Sequence, residues 1–440
     1  MALQSSRAVA DGGPDAQHPA LAAATHNEDW PGAPAGLGAV PAGRSALWPV
    51  RLGLRVRRTC SPLEFGARGD SVADDTAAVQ RAIGSCSTVV FNEGGRFLVG
   101  SVMLNHSNLH LHFEGNASAI LKPRDPEAGF IAWCSGCVYE NITVTGASRY
   151  TSVIDGNGRY WWSAHPKPAH KPKLLVLHNV RRAHVSGMLF RDSPSFHLLM
   201  RGDRLSITGC RVEAGMENCE GYGPQPNTDA FHTHGTNIYI SNCWVHNGDD
   251  GFPVEPAGYG EDTRNVLIEN SHAECGSNGV VLLVGSGTMS VRDVIARNIT
   301  TNRTNQGAGI KISEPYELVH GNVTNASWDG VSITDPRAAA LYVNVFQEDA
   351  QINKPYGCTM PNASALAAKQ HWMSAHGVHF RRIALHHTNS EAGATVTALA
   401  GCFDCAPDTP CDIAVEDSDV SGTFLCHNVR GRSLAKLCAN

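Results

Sequence analysis

Three carboxylates sit in turn-like surroundings: Asp229 closes Pro226-Asn227-Thr228-Asp229, and Asp249 and Asp250 are neighbours in Asn247-Gly-Asp-Asp-Gly251. Asp229 and Asp249 are 20 residues apart. In a chain that winds in coils of about that length, the two segments lie side by side in adjacent coils. Stacking then clusters like charges, which raises at least one pKa. One carboxyl can stay protonated as a general acid while another is ionised as a general base, the pairing that glycoside hydrolysis needs. Asn-Thr-Asp and Gly-Asp-Asp-Gly are also ordinary strand-capping turns, so the spacing alone leaves both uses open. His232-Thr-His234 puts two imidazoles on one face of a strand, a geometry that binds metals. With 21 histidines in the chain such pairs also arise by chance, and no metal is expected. Cys134-Ser-Gly-Cys137 and Cys402-Phe-Asp-Cys405 look like half zinc sites but lie far apart, so disulfides are the expectation.

The elements that must position these groups are short. With 44 Gly, 23 Pro and 7% aromatic residues, the chain favours tight turns over long helices. From Leu109 onward β-branched runs such as Leu175-Val-Leu, Leu205-Ser-Ile-Thr, Asn237-Ile-Tyr-Ile and Val266-Leu-Ile-Glu recur, closed by Asn, Asp or Gly. The spacing is roughly 20–30 residues, one coil of a repeat protein, and apolar and polar residues alternate within the runs. The pattern predicts an all-β chain, a single parallel β-helix. A β-sandwich competes, but it needs antiparallel hairpins with two-residue Asn-Gly or Asp-Gly turns at regular spacing. Asp74-Asp75-Thr76 offers N-caps for a short capping helix whose apolar face includes Val79 and Ile83. Residues 1–58 lack periodicity and read as a flexible or processed leader, which leaves 59–440 as one domain. Ala338 to Trp372 interrupts the repeat as an excursion, and Val378-His-Phe and Ile413-Ala-Val read as closing coils.

Composition narrows the partners. A formal charge of −6 and a pI near 6.4 give no basic surplus for nucleic acid or membrane surfaces, so a polyanionic substrate needs a local basic site. No apolar run approaches the ~18 residues of a membrane-spanning helix. Fourteen cysteines and Asn-x-Ser/Thr sites at Asn105, Asn116, Asn141, Asn298, Asn302, Asn322, Asn325 and Asn362 point to secretion. The N-terminus carries no clear signal peptide, since its longest apolar core is Ala20 to Ala24. Cys60 with Cys86 would staple the capping helix, and Cys402, Cys405, Cys411, Cys426 and Cys438 would pin the last coils. A monomer is expected.

From about Pro62 to Tyr356 the sequence resembles glycoside hydrolase family 28, the polygalacturonase family of right-handed parallel β-helices. The resemblance rests on Glu64-Phe-Gly-Ala-Arg-Gly-Asp70 with Asp74-Asp75-Thr76, Ile154-Asp-Gly-Asn-Gly-Arg-Tyr-Trp-Trp162, and Lys171-Pro-Lys…Asp192-Ser-Pro-Ser-Phe-His197. Pro226-Asn-Thr-Asp-Ala-Phe, Gly248-Asp-Asp and Gly309-Ile-Lys311 follow in the family's order. It implies that Asp249 gives the proton to the leaving oxygen, while Asp229 and Asp250 activate water for inverting attack. Lys311, Asn278, His232 and Asn227 would border the substrate, and no cofactor is implied. Three departures stand out. Asn278 replaces the His of the family's Gly-His-Gly. Gly309 replaces the Arg of Arg-Ile-Lys, with Arg303 as a substitute that could fold back. Gly251 replaces the Cys that often follows Gly-Asp-Asp, which leaves Cys275 without its usual partner. Losing a guanidinium fork suggests an uncharged sugar at that position, such as rhamnose next to galacturonate. Gly309→Arg would then turn preference toward homogalacturonan. Two other functions fit the same elements: a Ca²⁺-dependent polysaccharide lyase, and a non-catalytic carbohydrate-binding relative.

Overall fold

The computed structural model describes residues 58–134, 136–163, 170–215, 219, 227–256, 262–284, 290–312, 321–344, 374–387, 399–405, 410–431 and 433–438. The expected leader, apart from Arg58, and most of the expected excursion after Ala338 lie outside the described residues. Near the N-terminus, helix Thr76–Ser85 buries Val79 and Ile83 completely against the first coils. Asp75 takes the N-cap position but does not cap with its side chain. Its two carboxylate oxygens instead accept the Arg68 and Gly69 amides at 2.7 and 3.0 Å, and Asp74 Oδ1 accepts Thr76 N–H at 3.1 Å. The paired acids thus divide the work: one ties down the preceding loop and the other serves the helix end. Cys60 and Cys86 are disulfide-bonded across the helix.

The rest winds as a parallel β-helix. Leu198–Thr208 lies in register with Phe231–Ser241, whose outer half pairs with Thr263–Glu274, which pairs in turn with Ser290–Asn302. All four strands run in one sense, so the hairpin-built sandwich is excluded. Alternation explains the stacking: Leu205 and Ile207, Ile238 and Ile240, Val266 and Ile268 are buried in the interior, while the intervening Ser206 and Tyr239 are only half-buried. Asparagine turns the corners. Asn108, Asn141, Asn237, Asn265, Asn270, Asn298 and Asn325 all have φ between 51° and 59°, a left-handed conformation that Asn adopts more readily than other chiral residues. Their amides form ladders between coils, as in Asn141 Nδ2 to Asn108 Oδ1 at 2.6 Å and Asn298 Nδ2 to Asn270 Oδ1 at 2.5 Å. Asn141, Asn298 and Asn325 are also glycosylation-site asparagines, so part of that sequence signal has a structural origin.

Towards the C-terminus, Val378 pairs with Ile413 in consecutive coils, and Trp328, Phe380 and Phe403 stack through the interior. Cys405–Cys411 and Cys426–Cys438 pin this end, Cys402 is also disulfide-bonded, and Cys134–Cys137 closes a short loop, so neither Cys-x-x-Cys pair is a zinc half-site.

Candidate active site

Strand order places the polar residues. Asp229 lies in the turn that enters strand Phe231–Ser241, Asp249 and Asp250 in the turn that enters Phe252–Glu255, Asn278 at the start of Asn278–Val284, and Lys311 near the end of Gln306–Ile312. Hydrogen bonds between side chains and backbone lock the turns to one another. Asn247 Nδ2 donates to Thr228 O and Asp250 O, both at 2.9 Å, and Gly248 N–H donates to Thr228 Oγ1 at 3.0 Å. Asn227 contributes its backbone: its N–H donates to Asp249 Oδ2 at 2.8 Å, while its side chain is exposed. Ser277 N–H binds Asp249 O at 2.8 Å, and Gly276 beside it has no room for a Cβ, which would fall 2.2 Å from that same oxygen. The Asp-Asp turn is therefore held from both sides in sequence.

Asp229, Asp249 and Asp250 are all at least 96% buried, and each answers a different environment. Asp250 receives Lys311 Nζ at 3.0 Å and Asn278 Nδ2 at 2.5 Å. Burial works against the Lys311 charge, but the carboxylates of Asp250, Asp249 and Asp229 outweigh it and push the ammonium pKa up. Burial, then the charges of Asp229 and Asp250, drives the Asp249 pKa well above the carboxylate range, against the opposing pull of Lys311 and the Asn227 amide. Asp229 is also raised by burial, but His232 opposes the shift through a hydrogen bond of 2.9 Å. This cluster can hold a proton on one carboxyl and a charge on another.

Residues 85–360 match the profile of glycosyl hydrolases family 28. The chain belongs to this family. The probable endo-xylogalacturonan hydrolase A of Aspergillus oryzae is 28% identical over 312 residues, covering 67% of this chain and 72% of that protein. The endo-polygalacturonase of Sclerotinia sclerotiorum is 27% identical over 333 residues, 66% of this chain and 85% of its own. In structure, the endo-xylogalacturonan hydrolase from Aspergillus tubingensis superimposes with a TM-score of 0.66 at 18% identity, over 86% of this chain and 97% of that one. The polygalacturonase from Erwinia carotovora gives 0.63 at 16% identity, over 88% and 99%. The protein is thus a family 28 glycosidase with the family's β-helix.

Against that family frame, several expectations change. A Cβ on Gly309 would lie 1.9 Å from Tyr342 O in the next coil, so Gly309→Arg cannot add a guanidinium without moving the strand. Arg303, the suggested substitute, sits at a left-handed turn before the Gln306 strand. Cys275 does have a partner, Cys219, which comes from a loop 56 residues earlier. Arg337 reinforces that junction by donating to the Cys219, Cys275 and Gly276 carbonyls. His232 does meet a second acid besides Asp229: its Nε2 lies 2.8 Å from Glu255 Oε2. Donor atoms of His232, His234 and Glu255 fall within 4.8 Å of one another, but both His232 nitrogens are spent on carboxylates. Sequence reasoning missed Glu255, although it stands 23 residues after His232, close to the 20-residue interval between Asp229 and Asp249. An open hollow of about 440 Å³ lies just past this strand row, lined in part by Arg181, Arg201, Asp203, Thr236 and Arg264, and not at the carboxylate cluster.

Proposed function

We propose that this family 28 glycosidase hydrolyses a pectic polysaccharide with inversion at the anomeric carbon. Asp249 protonates the leaving oxygen, and Asp229 and Asp250 draw a proton from the attacking water. The observation that carries the reading is the unequal environment of three buried carboxylates, with Lys311 on Asp250, His232 on Asp229 and the Asn227 amide on Asp249. The β-helix of residues 59–440 is the catalytic domain, and its disulfides support action outside the cell.

Names of the relatives, which refer to xylogalacturonan and polygalacturonan, support a galacturonate-containing polymer. Gly309, with no space for a side chain, supports an uncharged sugar near the scissile bond, either a backbone rhamnose or a xylose branch. The test is a panel of homogalacturonan, xylogalacturonan and rhamnogalacturonan, with the first product's anomeric configuration read by NMR. An inverted product from one of the two polymers with neutral sugars is the expected result. A retained configuration overturns the mechanism, and homogalacturonan as the best substrate overturns the neutral-sugar reading.

A further inference from the structure

Asp229 is the first member of a chain of three ionisable side chains. Its Oδ2 lies 2.9 Å from His232 Nδ1, and His232 Nε2 lies 2.8 Å from Glu255 Oε2. The Asp229 and His232 side chains are 6% and 7% exposed, and Glu255 is 20% exposed. An imidazole with an ionised carboxylate on each nitrogen donates from both, which is the imidazolium form. Packing fixes the ring, which stacks on Phe196 at 4.6 Å on one side and on His234 at 4.8 Å on the other. Glu255 reaches it from the next coil, where its backbone is in register with His234. The arrangement is not a by-product of the turn that holds Asp229, because Glu255 belongs to a different strand.

We propose that Glu255 is a positioning residue: it keeps His232 cationic, and that cation fixes Asp229 through Oδ2 so that Oδ1 faces the attacking water. This rests on the reading of Asp229 as a base in the preceding section. As the water oxygen bonds to the anomeric carbon and the bond to the leaving sugar breaks, one water proton passes to Asp229 and the Asp249 proton passes to the leaving oxygen. Exchange with solvent then restores both carboxyls. The surrounding charges fit this division. Burial alone would discharge His232, but Asp229 and Glu255 outweigh it and raise its pKa to about 10. Burial and the His232 charge together lower His234 to about 4, so the two stacked rings share a single positive charge. Asp250 and Lys311 act on Asp229 from the other side with opposite signs. Lys173, held over Phe196 at 5.2 Å, adds a cation at the outer edge, and the buried His197 ring, its pKa lowered to about 4 by desolvation, adds none. Arg201 acts on His234 more weakly, lowering it further.

Glu255→Gln tests this directly, because the amide keeps the volume and a hydrogen bond but removes the charge. kcat is expected to fall about 10- to 100-fold with KM changed by less than about two-fold. The acid limb of the pH profile should move upward by about one unit, since a weaker cation leaves Asp229 easier to protonate. A profile that superimposes on the wild type, with the loss confined to KM, overturns the proposal and assigns Glu255 to substrate binding. Nitrogen chemical shifts of His232 provide a second reading in the unaltered protein. The ring should stay doubly protonated to about pH 8, and a ring that titrates near its ordinary pKa overturns the proposal even if the variant does not fold. Asp229→Asn separates the two levels. Full activity in that variant sinks the base assignment and this inference together; lost activity with an unshifted Glu255→Gln profile sinks the inference alone.

Discussion

Asp250 and Asp404 are both buried carboxylates, and the row of residues that serves one leads to the other. Lys311, which pairs with Asp250, is in register with Asn344, and Asn344 with Asp404, in consecutive coils. Their surroundings differ sharply. Asp250 takes an ammonium at 3.0 Å and an amide at 2.5 Å. Asp404 is fully buried, neither of its oxygens takes a close hydrogen bond among the described residues, and its ion partner His427 stands 3.5 Å away and is 41% exposed. Burial, partly offset by His427, raises the Asp404 pKa to about 6. One row of neighbouring coils thus supplies the cation that answers Asp250 and ends on a buried carboxylate that has no such cation. Local partners decide what a buried acid can do, and depth of burial by itself does not.

The largest effect that would sharpen this contrast lies at the answered end. Asp249→Asn should reduce kcat by about 10³-fold or more, because the amide fills the space but carries no acidic proton. Oligosaccharide binding, measured by calorimetry, should survive and improve slightly as charge repulsion falls. An active Asp249→Asn would show that the proton for the leaving oxygen comes from elsewhere, and the carboxylates beside Asp250 would lose their catalytic reading. Lys311→Ala follows. It leaves Asp250 buried without its cation, and thermal or denaturant unfolding should show a loss of roughly 3 kcal/mol. Placing Lys311 beside the substrate, as the resemblance does, suggests mainly a binding defect, but the buried pair adds a cost in stability and in kcat. If only KM changes, the pair is not the anchor described here.

A third prediction concerns the strand between these two regions. Gly309→Ala should destabilise the protein by about 1–3 kcal/mol, since its Cβ meets the Tyr342 carbonyl at 1.9 Å and that backbone must move. An unchanged midpoint in denaturant would show that the coils separate easily there. The smallest effect belongs to Asp404→Asn. The folded pKa of Asp404, about 6, lies above the unfolded value of about 3.8. Its stabilising share is complete below the unfolded value and is lost as pH rises through about 6. Removing the charge should therefore raise Tm by roughly 1–2 °C at neutral pH and by almost nothing near pH 4. A lower Tm at neutral pH would mean that the His427 ion pair is worth more than the desolvation it costs.

Sequence by itself determined the features that repeat once per coil. The alternating aliphatic residues, the Asn corners and the 20-residue interval from Asp229 to Asp249 are local patterns, and a solenoid copies local patterns directly into neighbouring positions. The capping helix and its Cys60–Cys86 staple are legible for the same reason, since all their parts are close in the chain. Tertiary structure decided whatever depends on side-chain direction or on loops that leave the repeat. Asp250 and Lys311 are 61 residues apart, and their meeting depends on which face each strand presents, where a one-residue slip in register would separate them. Cys219 belongs to none of the described strands, so no periodicity announces its bond to Cys275. Gly309 reads in the sequence as a lost arginine. Only the closeness of the next coil's Tyr342 carbonyl shows that the position has no room for one. Glu255 lay within reach of the same spacing rule that found the aspartates, but a single Glu on a strand has many uses, and the two bonds that His232 makes are what single it out.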